Sequence, residues 1–600
     1  MCPDTCPHVA GRRCGSLLTG DAGLGERLPL AAGIDERHVC PARTDPGRLA
    51  GARPPAVSMT REEGQYHPRV LLDRIRASRR ASRRPAAVVA VVVTVAVGVA
   101  VAAPVSTAAD RSVAVIVVPT FDPAAYAGRG AVGWLVPGAG STVSRERALA
   151  SLVRGRVVSS LVGLDGDSTL RLARVPAETT IYVALPPQGA HHNVVRYPVA
   201  VVGPGYHGLL TSGSTRIDGL VSLADIAPTA TAIATGETPP IRARADRDAA
   251  ATLTRLDDRL ARAHDARTGA TLVLVGWLVA FASLGILAGS VIAGRAAVLV
   301  APVALGTALL LRAGGVDDPT AVVVALAIAT GAGSLLLGLR REALVPTVVC
   351  FLLAFLVTLA VWPEVNALAA IGPHPDGGGR FYGITNQVET LLLAPSLAAA
   401  ALAGVAGAVA IGLLLLVTIG WSRAGADGGG LLVVAAAFAV LLGGLARVRP
   451  TPLRVVAGVA AVLALGLAIV GFDALLGGSS HVTDAVGGGP GTLFDDLDRR
   501  VRISWAGATS AAHTAFLCLL SLGGLVWLGI RGRQRPAIVA LLAGIGVSLV
   551  VNDTPVDVLG YGALGCLALT AWEETRAREP ISERSAASSR LPGPQERPAH

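Results

Sequence analysis

From about residue 270 to about residue 572 the chain alternates long apolar runs with short connections, and the connections are of two kinds. Some carry arginine and little else, whereas others carry carboxylates, amides, hydroxyls and histidine. A helical crossing of the hydrocarbon core takes about 20 apolar residues. That length predicts spans near 270–289, 295–312, 320–338, 344–362, 388–403, 404–421, 430–446, 455–472, 505–530, 537–551 and 556–572. An earlier apolar run, Pro85 to Val105, follows Arg74, Arg76, Arg79, Arg80, Arg83 and Arg84 and has the form of an uncleaved membrane anchor. The fold class expected is therefore a polytopic α-helical membrane protein with about 12 transmembrane helices.

The run from Val388 to Trp421 is too long for one crossing, so a tight hairpin is expected near Ala403 and Gly404. With that hairpin, Arg295, Arg340, Arg341, the Arg447/Arg449/Arg454 group and the Arg531/Arg533/Arg535 group all face the cytoplasm; without it the last two groups change sides. Both termini are then cytoplasmic, and a bacterial plasma membrane is the expected location. The polar connections gather on the outer side: Asp317 and Asp318; His374 to Glu389; Arg423 and Asp427; Asp473 to Asp484; and Asn552 to Asp557.

Between the anchor and the spans, Val113 to Val118, Ile181 to Ala184 and Tyr197 to Gly203 read as strands, and Arg145 to Val153 and Leu223 to Ile233 as helices. Leu253, Leu256 and Leu260 form an apolar stripe on a charged helix, expected to pack on the domain or the membrane surface. The domains expected are 1–58, an over-extended start that does not fold; 59–84, a basic cytoplasmic segment; 85–105, the anchor; 106–250, an α/β extracytoplasmic domain; 251–268, an amphipathic stalk; 269–572, an eleven-helix membrane domain; and 573–600, a disordered cytoplasmic tail.

Composition narrows the function classes. At 52% hydrophobic and 16% charged, with mean hydropathy +0.57, the chain is too apolar for an ordinary soluble enzyme. Its net charge of +10 comes from arginines beside apolar runs, a pattern that orients helices and excludes nucleic acid as a partner. The bilayer itself is the first partner. Cys2, Cys6, Cys14 and Cys40, with His8 and His38, lack the paired spacing of a zinc module, and Cys350, Cys518 and Cys566 sit in apolar runs as packing residues.

Three outer loops hold the candidate chemistry. In the first, Gly377 to Glu389, Arg380, Tyr382 and Asn386 are placed to bind an anionic or glycosylated headgroup, and Glu389 enters an otherwise apolar helix. Asn386 also suits a helix cap. In the second, Asp427 precedes Gly428, Gly429 and Gly430, where exposed N–H groups open a helix. In the third, His481 stands three residues before Asp484. Glu389, Asp427 and His481 are the candidate acids and bases; Arg380, Tyr382, Asn386 and Asp484 are the candidate substrate contacts. For any one of them the plainer assignment is a turn, a cap or a solvated charge.

The segments His192 to Gly203, Gly208 to Arg216 and Gly219 to Thr229 resemble the C-terminal end of an alkaline phosphatase superfamily domain, in which a metal-binding histidine lies six residues before a proline and a strand and a "DIAPT" helix follow. The resemblance implies a truncated phosphatase fold with His192, before Pro198, as a metal ligand. The other ligands have no counterparts in the family's order. Pro119-Thr120-Phe121-Asp122 follows the first strand, Asp165, Asp167 and His191 are out of order, and no Asp-His pair occurs between residues 106 and 190. A divalent metal is therefore not favoured, and a binding domain is expected instead of an active phosphatase. The whole layout after Met59 also resembles uncharacterised bacterial membrane proteins that share the outer loops, a group that brings no established activity. Two functions are expected to compete: handling a phosphorylated or lipid-linked glycan at the outer face in envelope biogenesis, or transport or flipping of an envelope precursor or small anion.

Overall fold

The computed structural model describes residues 112–138, 140, 142–157, 168–377, 380–449, 451–475 and 490–578. The expected anchor, the segments before it, residues 579–600, His481 and Asp484 lie outside the described residues.

The described residues between 112 and 244 build a mixed sheet. Its strands are β1 (Val113–Val118), β2 (Ala131–Val136), β4 (Thr179–Ala184), β6 (Tyr197–Val202), β7 (Gly208–Ser212), β8 (Leu220–Ser222) and β9 (Ile241–Arg244), in the order β1-β4-β6-β2-β7-β9 with β8 also beside β2. β1 and β4 run parallel, whereas β6 is antiparallel to both β4 and β2. A separate antiparallel pair joins β3 (Thr142–Ser144) to β5 (Ala190–His192).

The period of two along a strand divides the core into two layers. Val199 and Val201 point to the face covered by α2 (Arg145–Arg154) and α3 (Ile226–Thr235), which follow the short α1 (Ala124–Ala127) in the chain. Ala200 points to the opposite face, where it meets Leu253 of α4 (Ala249–Ala288). Leu256 and Leu260 of α4 pack there against Val136, Ile217 and Leu220. Each buried leucine of this stripe contributes about 2 kcal/mol of apolar burial at most.

α4 is the main departure from the expected organisation. The stalk 251–268 and the span 270–289 are one helix of 40 residues, because no proline or glycine pair interrupts them where charge gives way to apolar sequence. The stripe settles on the sheet domain. The domain is therefore fastened to the bundle by a continuous rod, with Asp257 bonded to Arg196 Nε at 2.5 Å and Trp134 Nε1 donating to the Leu253 carbonyl at 2.9 Å.

The bundle continues with α5 (Val291–Ala313), α6 (Pro319–Gly338), α7 (Leu344–Val361), the short α8 (Pro363–Ala367), α9 (Asn386–Gly420), α10 (Gly428–Leu445), α11 (Pro452–Leu475), α12 (Pro490–Ala508), α13 (Ala512–Arg531), α14 (Pro536–Val551) and α15 (Pro555–Ala577). Among the described residues nine helices are long and apolar enough to cross a membrane, and α14, at 16 residues, is a shorter apolar helix. This is a membrane protein by the length and character of its helices.

α9 turns back on itself at Gly404, whose φ of 71° is non-helical. An unbroken helix of its 35 residues would hold its ends about 50 Å apart. Instead the Ile384 N–H, just before α9, donates to the Gly425 carbonyl, just after it, at 3.0 Å. The hairpin expected near Ala403 and Gly404 is therefore present.

Two boundaries differ from expectation. The span placed at 505–530 begins at Ala512, because the chain breaks at Thr509 to Ala511 and the residues before it form the polar α12. Residues 573–577, placed in the tail, belong instead to α15, which runs to Ala577, and Glu574 Oε1 receives Arg531 Nε at 2.9 Å.

Candidate functional site

Among the described residues, the polar connections around Asp317, His374 to Glu389, Arg423 to Asp427 and Asn552 to Asp557 share one end of the bundle, the end that carries the sheet domain; of the connection from Asp473 to Asp484, residues 476–484 lie outside the described residues. Asn193 Nδ2 donates to the Gly377 carbonyl at 2.7 Å, Arg216 Nη2 to the Ser422 carbonyl at 2.7 Å, and Arg259 pairs with Glu364. Arg262 lies 4.0 Å from Asp317, which is also paired with Arg312.

Three loops converge around Glu389. The first, before α9, is capped by Thr385 Oγ1, which accepts from the Val388 N–H at 3.3 Å. The second ends in Asp427, whose Oδ1 caps α10 by accepting from the Gly430 N–H at 3.2 Å. The third follows α14 and supplies Asn552, whose Nδ2 donates to Glu389 Oε2 at 3.2 Å and to Ser548 Oγ at 2.8 Å. Glu389 is 0% exposed, and its Oε1 has no hydrogen-bond partner; nor has Asp427 Oδ2. Directly below, Gly544 and Gly565 bring α14 and α15 close to Leu393 and Ala394, so the polar cluster ends where tight apolar packing begins.

Arg380 joins this site in a different role from the one expected. Its guanidinium donates to the Ile384 and Ala426 carbonyls and lies 3.2 Å from Asp427 Oδ2. Its donors fasten two loops to each other instead of reaching outward. Asn386 is likewise occupied, donating to Asp553 Oδ1 at 3.3 Å and Thr554 Oγ1 at 2.9 Å. Tyr382 is not beside Glu389 in function: its ring carries the Arg216 guanidinium at 3.8 Å, a cation–π contact that ties loop to sheet domain.

Gly383 shows how closely these loops approach. Its φ is 79°, and a Cβ there would collide with the Gly425 carbonyl. Gly383→Ala is expected to lower stability by about 1–3 kcal/mol, read by thermal unfolding in detergent; an unchanged midpoint would mean that the loops part easily.

A second polar cluster lies next to the first. Asp376, 1% exposed, is paired with Arg267 and accepts or shares a proton with His264 Nδ1 at 2.6 Å. Arg267 also donates to the Pro373 carbonyl at 3.1 Å. Burial pushes the Asp376 carboxyl up, but Arg267, His264 and His374 outweigh it and the net shift is downward. His374 is pushed down to about 4 by burial and by the charge of Arg267.

Arg267, His264 and Asn193 were not among the expected site residues. Arg267 stands on the stripe Leu253, Leu256, Leu260 and Ala263 at helical spacing, and a guanidinium on a buried stripe is the signal that a buried carboxylate awaits it.

His192 is exposed on β5, paired in register with Thr142. Asp122 Oδ1 accepts from the Ala124 N–H at 2.9 Å and closes a turn. Asp225, in the "DIAPT" segment, is buried and accepts from Ser212 Oγ at 2.7 Å, from Ser214 Oγ and from the Ser222 N–H at 3.3 Å, so it serves as a helix-start brace. Among the described residues no three His, Cys, Asp or Glu side chains gather as a metal centre.

A cleft of about 430 Å³ opens where the sheet domain meets α4 and α8. Asp218, Arg244, Asp246, Thr252, Arg255, Arg259 and Glu364 line it over a floor of Leu209 and Leu256. Comparison with protein-family models, with curated proteins and with solved structures finds no match.

Proposed function

We propose that the protein is a bacterial plasma-membrane protein of envelope biogenesis that binds a phosphorylated or lipid-linked glycan at the outer face, with the sheet domain as a non-catalytic, phosphatase-like binding module. The about twelve-span topology, with both termini cytoplasmic, belongs to this reading. The cleft carries it. Its volume of about 430 Å³ falls in the range of small-molecule sites. Its walls combine carboxylates, a hydroxyl and three arginines, the donors and acceptors that sugar hydroxyls and a phosphate require. It also lies beside the polar end of the bundle, where a lipid-anchored headgroup would arrive. The tight packing below Glu389 supports action at one face over passage through the bundle.

Arg255 is the cleft arginine for the phosphate. Arg244 is bonded to Asp218 and Arg259 to Glu364, whereas Arg255 donates to Thr252 Oγ1 at 3.1 Å on an exposed surface. Arg255→Ala is expected to weaken binding about tenfold or more, the worth of one charge-assisted contact, while leaving the fold intact. The measurement is binding of purified protein to vesicles carrying a polyprenyl-diphosphate-linked sugar, against vesicles of the same phospholipid alone. Equal binding to both vesicles, or no change in the variant, removes the reading.

A further inference from the structure

Apart from the cleft and independent of it, the loops around Glu389 form a site that its own protein neighbours leave incomplete. Glu389 is fully buried, yet one carboxylate oxygen, Oε1, receives no donor. Asp427, 5% exposed, also receives no hydrogen bond at Oδ2: the Arg380 guanidinium lies 3.2 Å away but directs its hydrogen bonds at the Ile384 and Ala426 carbonyls. Asp427 acts on Glu389 as a repelling charge. A third oxygen, Asn552 Oδ1, stands against Gly429, where a Cβ would come within 2.5 Å of it. Glu389 Oε1 and Asp427 Oδ2, buried without a hydrogen-bond donor, cost free energy.

We propose that Glu389 and Asp427, with the Asn552 amide oxygen, hold one monovalent metal cation of the sodium class. The donor set is oxygen only, which selects a hard cation. Charge decides between one and two positive units. With both carboxylates ionised around the bound cation, the single guanidinium of Arg380 leaves one negative charge, which a monovalent ion neutralises and a divalent ion would overshoot. The starts of α9 and α10 add partial positive charge at the same place, which disfavours a divalent ion further. Size excludes a larger ligand: Glu389 is closed to solvent, so a bare ion fits where a sugar or headgroup would have to displace helices.

The test uses the full chain purified in detergent, without any glycan, so that its outcome is separate from that of the cleft. The unfolding midpoint is followed as sodium chloride replaces choline chloride at constant ionic strength. Expected is a saturable rise of a few degrees, since a ligand that binds only the folded state raises its stability with concentration. Glu389→Gln and Asp427→Asn should abolish the rise, and in choline each should unfold no earlier than the parent, because a repelling charge has been removed. Asn552→Asp, which adds a third carboxylate, should tighten the response and let calcium act. Direct titration with radioactive sodium gives the stoichiometry, expected to be one per chain. Equal midpoints in sodium and choline would overturn the proposal, as would a sodium response retained in both carboxylate variants, or a response of the parent to magnesium or calcium alone.

Discussion

Arg267→Ala should destabilise the protein by about 3–5 kcal/mol, the cost of leaving a buried carboxylate without its counter-charge. Asp376 is 1% exposed and held by Arg267 from one side and His264 Nδ1, at 2.6 Å, from another. Removing the guanidinium strands a charge that water cannot reach. It also frees the Pro373 carbonyl, which Arg267 holds at 3.1 Å. The damage should spread along residues 371–377, because Asn193 fastens the far end of that loop to the sheet domain through the Gly377 carbonyl. This loop leads directly into Arg380 and Gly383, so the clasp positions the Glu389 site and the domain together. The measurement is the unfolding midpoint in detergent, with hydrogen exchange over residues 371–385 as the local reading. Arg267→Leu combined with Asp376→Leu should recover most of the loss, since no lone charge then remains buried. A single-variant cost below about 1 kcal/mol, the scale of an exposed ion pair, would show that the clasp is held by something else.

How much of this was legible in the sequence depends on how local each signal is. Length and arginine placement were enough for the α9 hairpin, because an apolar run can cross only once per about 20 residues. The strands Val113–Val118, Thr179–Ala184 and Tyr197–Val202 were legible from β-branched runs bounded by turn residues, the second only from Ile181 onward and the third one residue too far, to Gly203. Ala131–Val136 was missed: Gly133 and Trp134 break the run, and the strand is supported by neighbours on both sides that lie far away in sequence. The stalk and first span merge because helical spacing continues across the change from charged to apolar residues, which composition alone reads as a border.

At the site, the loops and most of their polar residues were visible, but their pairings were not. Arg380 looks like a free phosphate ligand in a glycine-rich loop, yet the tight approach of Gly383 to Gly425 gives it two carbonyls and Asp427 instead. Tyr382 is drawn away to Arg216, 166 positions earlier by number, a contact that no local pattern announces.

Acidification should loosen the clasp before it reaches Asp376, and the agent is His374. Its imidazole is pushed down from the ordinary 6.5 to about 4, first by burial and then by the positive charge of Arg267. Folding therefore opposes protonation of this residue. Between pH 6.5 and about 4 the unfolded chain binds a proton that the native chain refuses, so stability falls with pH across that window. Integrated over it, the loss reaches about 3 kcal/mol and is complete below about pH 4. Asp376 acts in the same direction at lower pH. Its folded carboxyl lies below its ordinary value, so its contribution is intact above the ordinary carboxylate range and disappears only as pH falls through the depressed value. The two groups thus separate on the pH axis, histidine first. The expected result is an unfolding midpoint that declines steadily from pH 7 to pH 4, and a flatter profile over the same interval for His374→Asn, which cannot titrate. Hydrogen exchange at residues 371–377 should rise in parallel in the parent chain and not in the variant. A profile of equal slope in both proteins would mean that His374 takes up its proton in the folded state as freely as in the unfolded one, and that neither burial nor the Arg267 charge opposes it.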